Sequence, residues 1–223
     1  MFELIAAIPL IISSAIEAPL PEGNPQVISY IQNTQPTVFE QHINEKILAS
    51  TDETIQLAVP FVHQLDDLNE ANMNTAQGTA CGPTTLTIVF KYNELDIDLN
   101  NVIDSLPSEV YVKGVGFYNL QKGSTYFGMN SVEVEQSPTG IYNALKEGNP
   151  VILNIQNYDG LYGHAVVVTG IKGYDGVNAK YLVVHDPFKA PYREFEYINN
   201  NTLKQPEGFI NPIGTHKPFY ITK

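Results

Sequence analysis

The side chain with the most distinctive chemistry in this sequence is a single thiol. Cys81 is the only cysteine in 223 residues, so no disulfide forms within the chain. It stands in Ala80-Cys81-Gly82-Pro83-Thr84-Thr85, directly before the apolar run Leu86-Thr87-Ile88-Val89-Phe90. Pro83 suits the first turn of a helix, where a missing N–H costs nothing. Leu86, Val89 and Phe90 at i, i+3 and i+4 predict one buried helical face. A thiol at that position meets the positive end of the helix dipole and free backbone N–H groups, which favours the thiolate. The competing reading is a small hydrophobe opening a core helix. Three further segments weigh against it. Val59-Pro60-Phe61-Val62-His63-Gln64 is strand-like and ends in a side-chain amide 17 residues before Cys81. Gly163-His164-Ala165-Val166-Val167-Val168-Thr169-Gly170 sets His164 at the head of an apolar strand. Tyr181-Leu182-Val183-Val184-His185-Asp186-Pro187-Phe188 delivers Asp186 from another strand, just ahead of a proline. Gln, Cys, His and Asp are the residue types that thiol acyl transfer requires.

Taken together, the Val-Pro-x-x-x-Gln strand, the Ala-Cys-Gly-Pro-Thr helix start, the Gly-His-Ala-Val-Val-Val-Thr-Gly strand and the Asp-Pro strand end resemble one family. It is the papain-like cysteine peptidases related to the leader peptidase of bacteriocin exporters, especially their stand-alone relatives. The matching pieces span about residues 55–190, in the family's order. The resemblance implies an α+β, papain-like fold, with a helical lobe carrying the nucleophile packed on an antiparallel β-sheet lobe. It implies Cys81 as nucleophile, His164 as base and Asp186 as the group orienting the imidazole. Gln64, with the backbone N–H of Cys81, is the implied oxyanion hole. No cofactor is implied. Spacing alone does not assign these roles, since 83 residues separate Cys81 from His164.

Each of these residues also has a plainer reading. Gln64 fits any surface glutamine, Asp186-Pro187 fits a turn, and His164 fits a satisfied core histidine. His185 and His63 neighbour the implied site residues, but side chains alternate along a strand, so His185 points away from the side Asp186 faces. His42 and His216 have no pattern around them. A zinc site is weighed and set aside, because no Cys-x-x-Cys or His-x-x-x-His pair exists. Asp96-Ile97-Asp98-Leu99-Asn100 lacks the glycine and glutamate of a calcium loop. Gly114-Val115-Gly116 lacks the third glycine of a dinucleotide fingerprint.

Composition bounds the rest. A hydrophobic fraction of 43% with 13 Tyr and 10 Phe is enough for a substantial core, and 15 Pro with 16 Gly imply many turns. A net charge of −12 argues against nucleic acid or an anionic membrane as partner. The expected partner is a peptide or a peptidoglycan-like substrate, with no stable membrane insertion of the catalytic domain and the oligomeric state left open. Residues 1–50 read as an apolar segment followed by a proline-spaced arm, and residues 51–223 as the catalytic domain. Leu4 to Ile16 has the length of a signal-peptide core but no basic residue before Lys46, so a degenerate signal peptide and a buried segment both stay open. An extracellular, cell-surface or virion-associated location is favoured over the cytoplasm on that segment.

Elements are expected as follows: a strand over Ile55–Val62, a polar loop over Gln64–Thr79, the Cys81 helix to about Asn93, and a helix capped by Asp98 or Asn100 through Leu106. A strand over Ser131–Val134 and a helix over Thr139–Lys146 follow. Strands at Val151–Ile155, Ala165–Ile171, Tyr181–Val184 and Glu194–Tyr197 then complete a segregated α+β order. Short pieces at Val27–Ile31 and Phe39–Leu48 belong to the arm. The function these features support is a cysteine peptidase or amidase. The alternatives are a non-catalytic papain-like binding or virion/surface structural module, and an acyl transferase of the same fold.

Overall fold

A computed structural model describes residues 47–51, 54–159 and 161–223, all within the unit His42–Lys223. The piece expected at Val27–Ile31 and most of that at Phe39–Leu48 lie outside these residues. The helices among the described residues lie between Glu70 and Lys146: α1 (Glu70–Ala76), α2 (Cys81–Tyr92), α3 (Leu99–Ser105), α4 (Leu120–Gly123) running into a 3-10 turn, and α5 (Pro138–Lys146). Strands β1 (Ile47–Thr51) and β2 (Thr54–Leu57) precede them, and β3 (Tyr111–Val112) with β4 (Gly116–Phe117) makes a separate hairpin. The remaining strands are β5 (Asn130–Glu133), β6 (Val151–Tyr158), β7 (Leu161–Lys172), β8 (Tyr181–Asp186), β9 (Ala190–Asn199), β10 (Thr202–Lys204), β11 (Ile210–Pro212) and β12 (Phe219–Thr222). This is the segregated α+β architecture of a papain-like fold.

The large sheet runs in the order β11-β10-β9-β8-β7-β6-β12-β5, antiparallel throughout. β7 is its spine. On one edge β6 pairs with it from Leu161 to Val168 and β2 takes over from Gly170 to Lys172, while β8 lies along the other edge. Gly170 is required at that handover, because a Cβ there would stand 2.6 Å from the Ile55 carbonyl oxygen.

Helix α2 packs on β7 and is the centre of the core. The sequence periodicity predicts one buried face, yet every residue from Cys81 to Tyr92 except Lys91 is buried. Its three threonines make this tolerable. The hydroxyls of Thr84, Thr85 and Thr87 donate back to the carbonyls of Ala80, Gly82 and Pro83 at 2.7, 2.7 and 2.9 Å, so no hydroxyl is buried unpaired. Two other expectations need correction. The segment Gln64–Thr79 is not wholly loop, since Asn69 caps α1 by accepting from the Asn72 N–H at 2.9 Å. The first strand stops at Leu57 rather than Val62, as Pro60 has no N–H to give a ladder. Gly114 and Gly116 take positive φ (76° and 127°) and turn the β3–β4 hairpin.

Candidate active site

Three elements converge on Cys81. Helix α2 begins at this residue, with Ala80 as N-cap and no side chain capping it, so the first-turn N–H groups face the thiol. The Gly82 and Ala165 N–H groups both donate to the sulfur. Strand β7 supplies His164, whose ring and charge lower the thiol's pKa. Strand β8 ends at Asp186, whose Oδ1 lies 2.8 Å from His164 Nε2. An ionised carboxylate only accepts, so Nε2 carries the proton and Nδ1 is left for the thiol. His164 and Asp186 thus form a hydrogen-bonded pair, and the imidazole acts electrostatically on the thiol at the start of α2.

All three are buried: Cys81 is 6% exposed, His164 1% and Asp186 0%. The backbone next to the thiol is tightly packed. The Phe117 ring of the β3–β4 hairpin lies against the Cα of Gly82 so closely that a Cβ there would meet Cδ1 at 2.6 Å. A cleft of about 340 Å³ is lined by Phe117, Tyr118, Asn154, Thr215, His216 and Ala165, the neighbour of His164, while Cys81, His164 and Asp186 themselves do not line it.

Electrostatics oppose burial and win. Burial pushes the Cys81 thiol up, but the His164 hydrogen bond and charge, with the N–H groups of Ala165 and Gly82, bring it below its ordinary value. Burial pushes His164 down, while hydrogen bonds to Asp186 and Cys81 and their negative charge raise it to about 9. Burial likewise raises Asp186, and His164, Tyr158 and Arg193 together hold it below the usual carboxylate range. The pair therefore favours thiolate and imidazolium.

Gln64 reaches the site differently. It is buried, its backbone N–H donates to the Pro187 carbonyl at 2.8 Å, and its Nε2 donates to the Gln77 carbonyl at 3.1 Å. It is thereby tied to the residue after Asp186 and to the turn leading into Cys81, without a side-chain bond to Cys81 itself. Its Oε1 is buried with no protein partner. His185 points elsewhere: Nδ1 accepts from the Tyr192 N–H at 3.1 Å and Nε2 donates to the Val59 carbonyl at 2.9 Å. His63 sits beside Gln64, with Nε2 3.2 Å from the Phe188 carbonyl oxygen.

Two residues here have no counterpart in the sequence reading. Tyr158 stacks on the His164 ring, centroids 4.0 Å apart, and donates its hydroxyl to Asp186 Oδ2 at 2.5 Å. Arg193 donates to the same oxygen. Nothing in the spacing marks Tyr158 among thirteen tyrosines, but Arg193 is the only arginine in the chain, and that was a usable signal. Among the described residues, no group of His, Cys, Asp and Glu is placed to hold a metal, and no helix is long and apolar enough to cross a membrane.

A buried helix presenting a thiol at its N-terminus to an imidazole on an antiparallel sheet defines the papain-like cysteine peptidase class. Within that class the chain belongs to the Peptidase_C39 like family, whose model matches residues 56–205. The family is related to the peptidases that process bacteriocins. No curated protein matches the chain.

Proposed function

We propose that this protein is a cysteine peptidase or amidase that cleaves a peptide-like bond through Cys81, His164 and Asp186. The observation that supports this reading is the His164–Asp186 pair at 2.8 Å, beside a thiol at the start of α2 that the imidazole holds below its ordinary pKa. The thiolate attacks the carbonyl carbon, and the π-electron pair moves onto the oxygen. One N–H of Gln64 and the backbone N–H of Cys81 then stabilise that oxyanion, an interaction of about 2.7–4 kcal/mol per donor in comparable sites. Collapse breaks the C–N bond, and the leaving amine takes the proton from His164 Nδ1. A thioester to Cys81 remains. Water attacks it, giving a proton to Nδ1, and the thiolate is expelled with the acid product. Asp186 holds the ring in the tautomer that makes both transfers possible. The substrate is a peptide or an isopeptide of the kind found in peptidoglycan cross-bridges.

The test is labelling with a peptidyl electrophile under native conditions, followed by mass mapping. The expected adduct is on Cys81, lost in His164→Ala and retained in His185→Ala. Labelling that survives His164→Ala but disappears in His185→Ala overturns the assignment of the base.

A further inference from the structure

The chain's one arginine is buried, which is costly unless the charge is paired. Arg193 forks between two carboxylates. Nη1 donates to Asp186 Oδ2, the oxygen His164 does not use, and Nη2 donates to Glu207 Oε2. Nη2 also lies 3.5 Å from Gln205 Oε1, and the guanidinium stands over the Phe195 ring at 5.0 Å. Asp186 therefore accepts from four donors: His164 Nε2 from β7, Tyr158 from β6, Arg193 from β9, and the Phe188 N–H at 3.1 Å. Lys189, over the Tyr158 ring, is paired with Asp159 at 2.8 Å. Of these donors, only His164 and Arg193 bring positive charge to Asp186, and only Arg193 keeps it at every pH of interest.

That difference matters during turnover. With thiolate and imidazolium formed, the buried charges of Cys81, His164, Asp186 and Arg193 cancel. In the acyl-enzyme both Cys81 and His164 are neutral. Without Arg193, Asp186 would then be a lone buried carboxylate beside a neutral ring, a setting that drives a carboxylate to take up a proton. A protonated Asp186 would donate to Nε2. The ring proton would then sit on Nδ1, and the lone pair that must accept a proton from water would be gone. We propose that Arg193 is a positioning residue that keeps Asp186 ionised while His164 is neutral, and so keeps the ring's lone pair on Nδ1, facing Cys81. Its catalytic purpose rests on the peptidase reading above, but the tautomer itself can be observed without turnover.

The experiment uses the full chain carrying Cys81→Ser, with histidine rings labelled with 15N and His164 assigned by its loss in a His164→Gln partner. Above the pH at which His164 becomes neutral, Nε2 should read as protonated and Nδ1 as bare. A mixed or Nδ1–H ring in this protein overturns the proposal. Adding Arg193→Gln, which keeps donors but removes the charge, should lose the pure Nε2–H signature. Adding Arg193→Lys, which keeps the charge, should restore it. An unchanged tautomer in folded Arg193→Gln overturns the proposal, as does loss of the signature in folded Arg193→Lys. If the glutamine variant does not fold, the lysine variant and the parent decide. Failure of the peptidase reading is read separately, as absent labelling of Cys81 in the unmutated chain.

Discussion

A thiol reacts as its thiolate, and at Cys81 the thiolate is favoured by His164 and by the Gly82 and Ala165 N–H groups despite burial. The rate of alkylation by iodoacetamide should accordingly show its inflection well below the free-cysteine value of about 8.5. It should decline again above about pH 9, where His164 loses its proton, only to the extent that the imidazolium assists the reaction. Reaction confined to denaturant would return Cys81 to the core as a small hydrophobe. Gln64 invites a second measurement at this scale. Replacing it by alanine strands the Gln77 carbonyl but also removes a buried, unpartnered Oε1, two effects of opposite sign worth about 1–3 kcal/mol each. Gln64→Ala should therefore leave the melting temperature nearly unchanged while lowering kcat by roughly 10²–10³-fold. A large loss of stability with little change in kcat would make Gln64 a structural residue.

Two elements set the geometry these residues depend on. At the head of α2, Gly82 admits the Phe117 ring, so Gly82→Ala should force the ring outward and disturb the hairpin beside the thiol. Overpacking of this kind costs about 1–3 kcal/mol. Cys81 labelling should quicken in Gly82→Ala, where the ring is pushed out, and in Phe117→Ala, where it is gone; rates equal to the parent in both would show that the contact does not shape access. On β8, alternation sends Asp186 to His164 and His185 to Val59 and Tyr192. His185 is lowered by burial, only partly offset by its bond to Val59. Below about pH 6.5, the ordinary histidine value, the unfolded chain binds this proton while the fold resists it. Its contribution to stability is therefore complete above about pH 6.5 and lost as pH falls towards the folded value. Urea midpoints should fall between pH 7 and pH 5 with this component missing in His185→Gln; an identical fall in that variant would assign it to other groups. The alternation was legible in the sequence because period two is a property of any strand. The β3–β4 hairpin was not, because two-residue strands carry no period and Gly114 and Gly116 signal only that a turn occurs.

At the scale of the whole molecule, the sequence motifs marked the elements that carry chemistry but not those that close the sheet. Strands β10, β11 and β12 lie after Glu194–Tyr197, in a proline- and asparagine-rich tail without a clear apolar alternation. Their pairing is decided by partners far away in sequence, which local pattern does not encode. The family match ends at residue 205, inviting the view that the remainder is an appendage. The packing argues otherwise. Asn211 donates its side-chain amide to the carbonyls of Gln156 and Asn157 at 3.1 Å each, and Ile213, Phe219 and Ile221 are buried. Burying three such side chains contributes about 1.5–3 kcal/mol each, which is comparable with a total stability of about 5–15 kcal/mol. At the other end, β1 pairs with β2 and β2 with β7, so a start near Ser50 removes most of a strand. A start at His42 keeps it. We expect a chain of residues 42–223 to melt cooperatively within a few degrees of the full-length protein and to retain Cys81 labelling. A chain of residues 42–205 should lack a cooperative transition, and its thiol should react at the rate of an unfolded cysteine. A cooperative melt from residues 42–205 would show that β12 decorates the sheet, and that β6 is a tolerable edge without it.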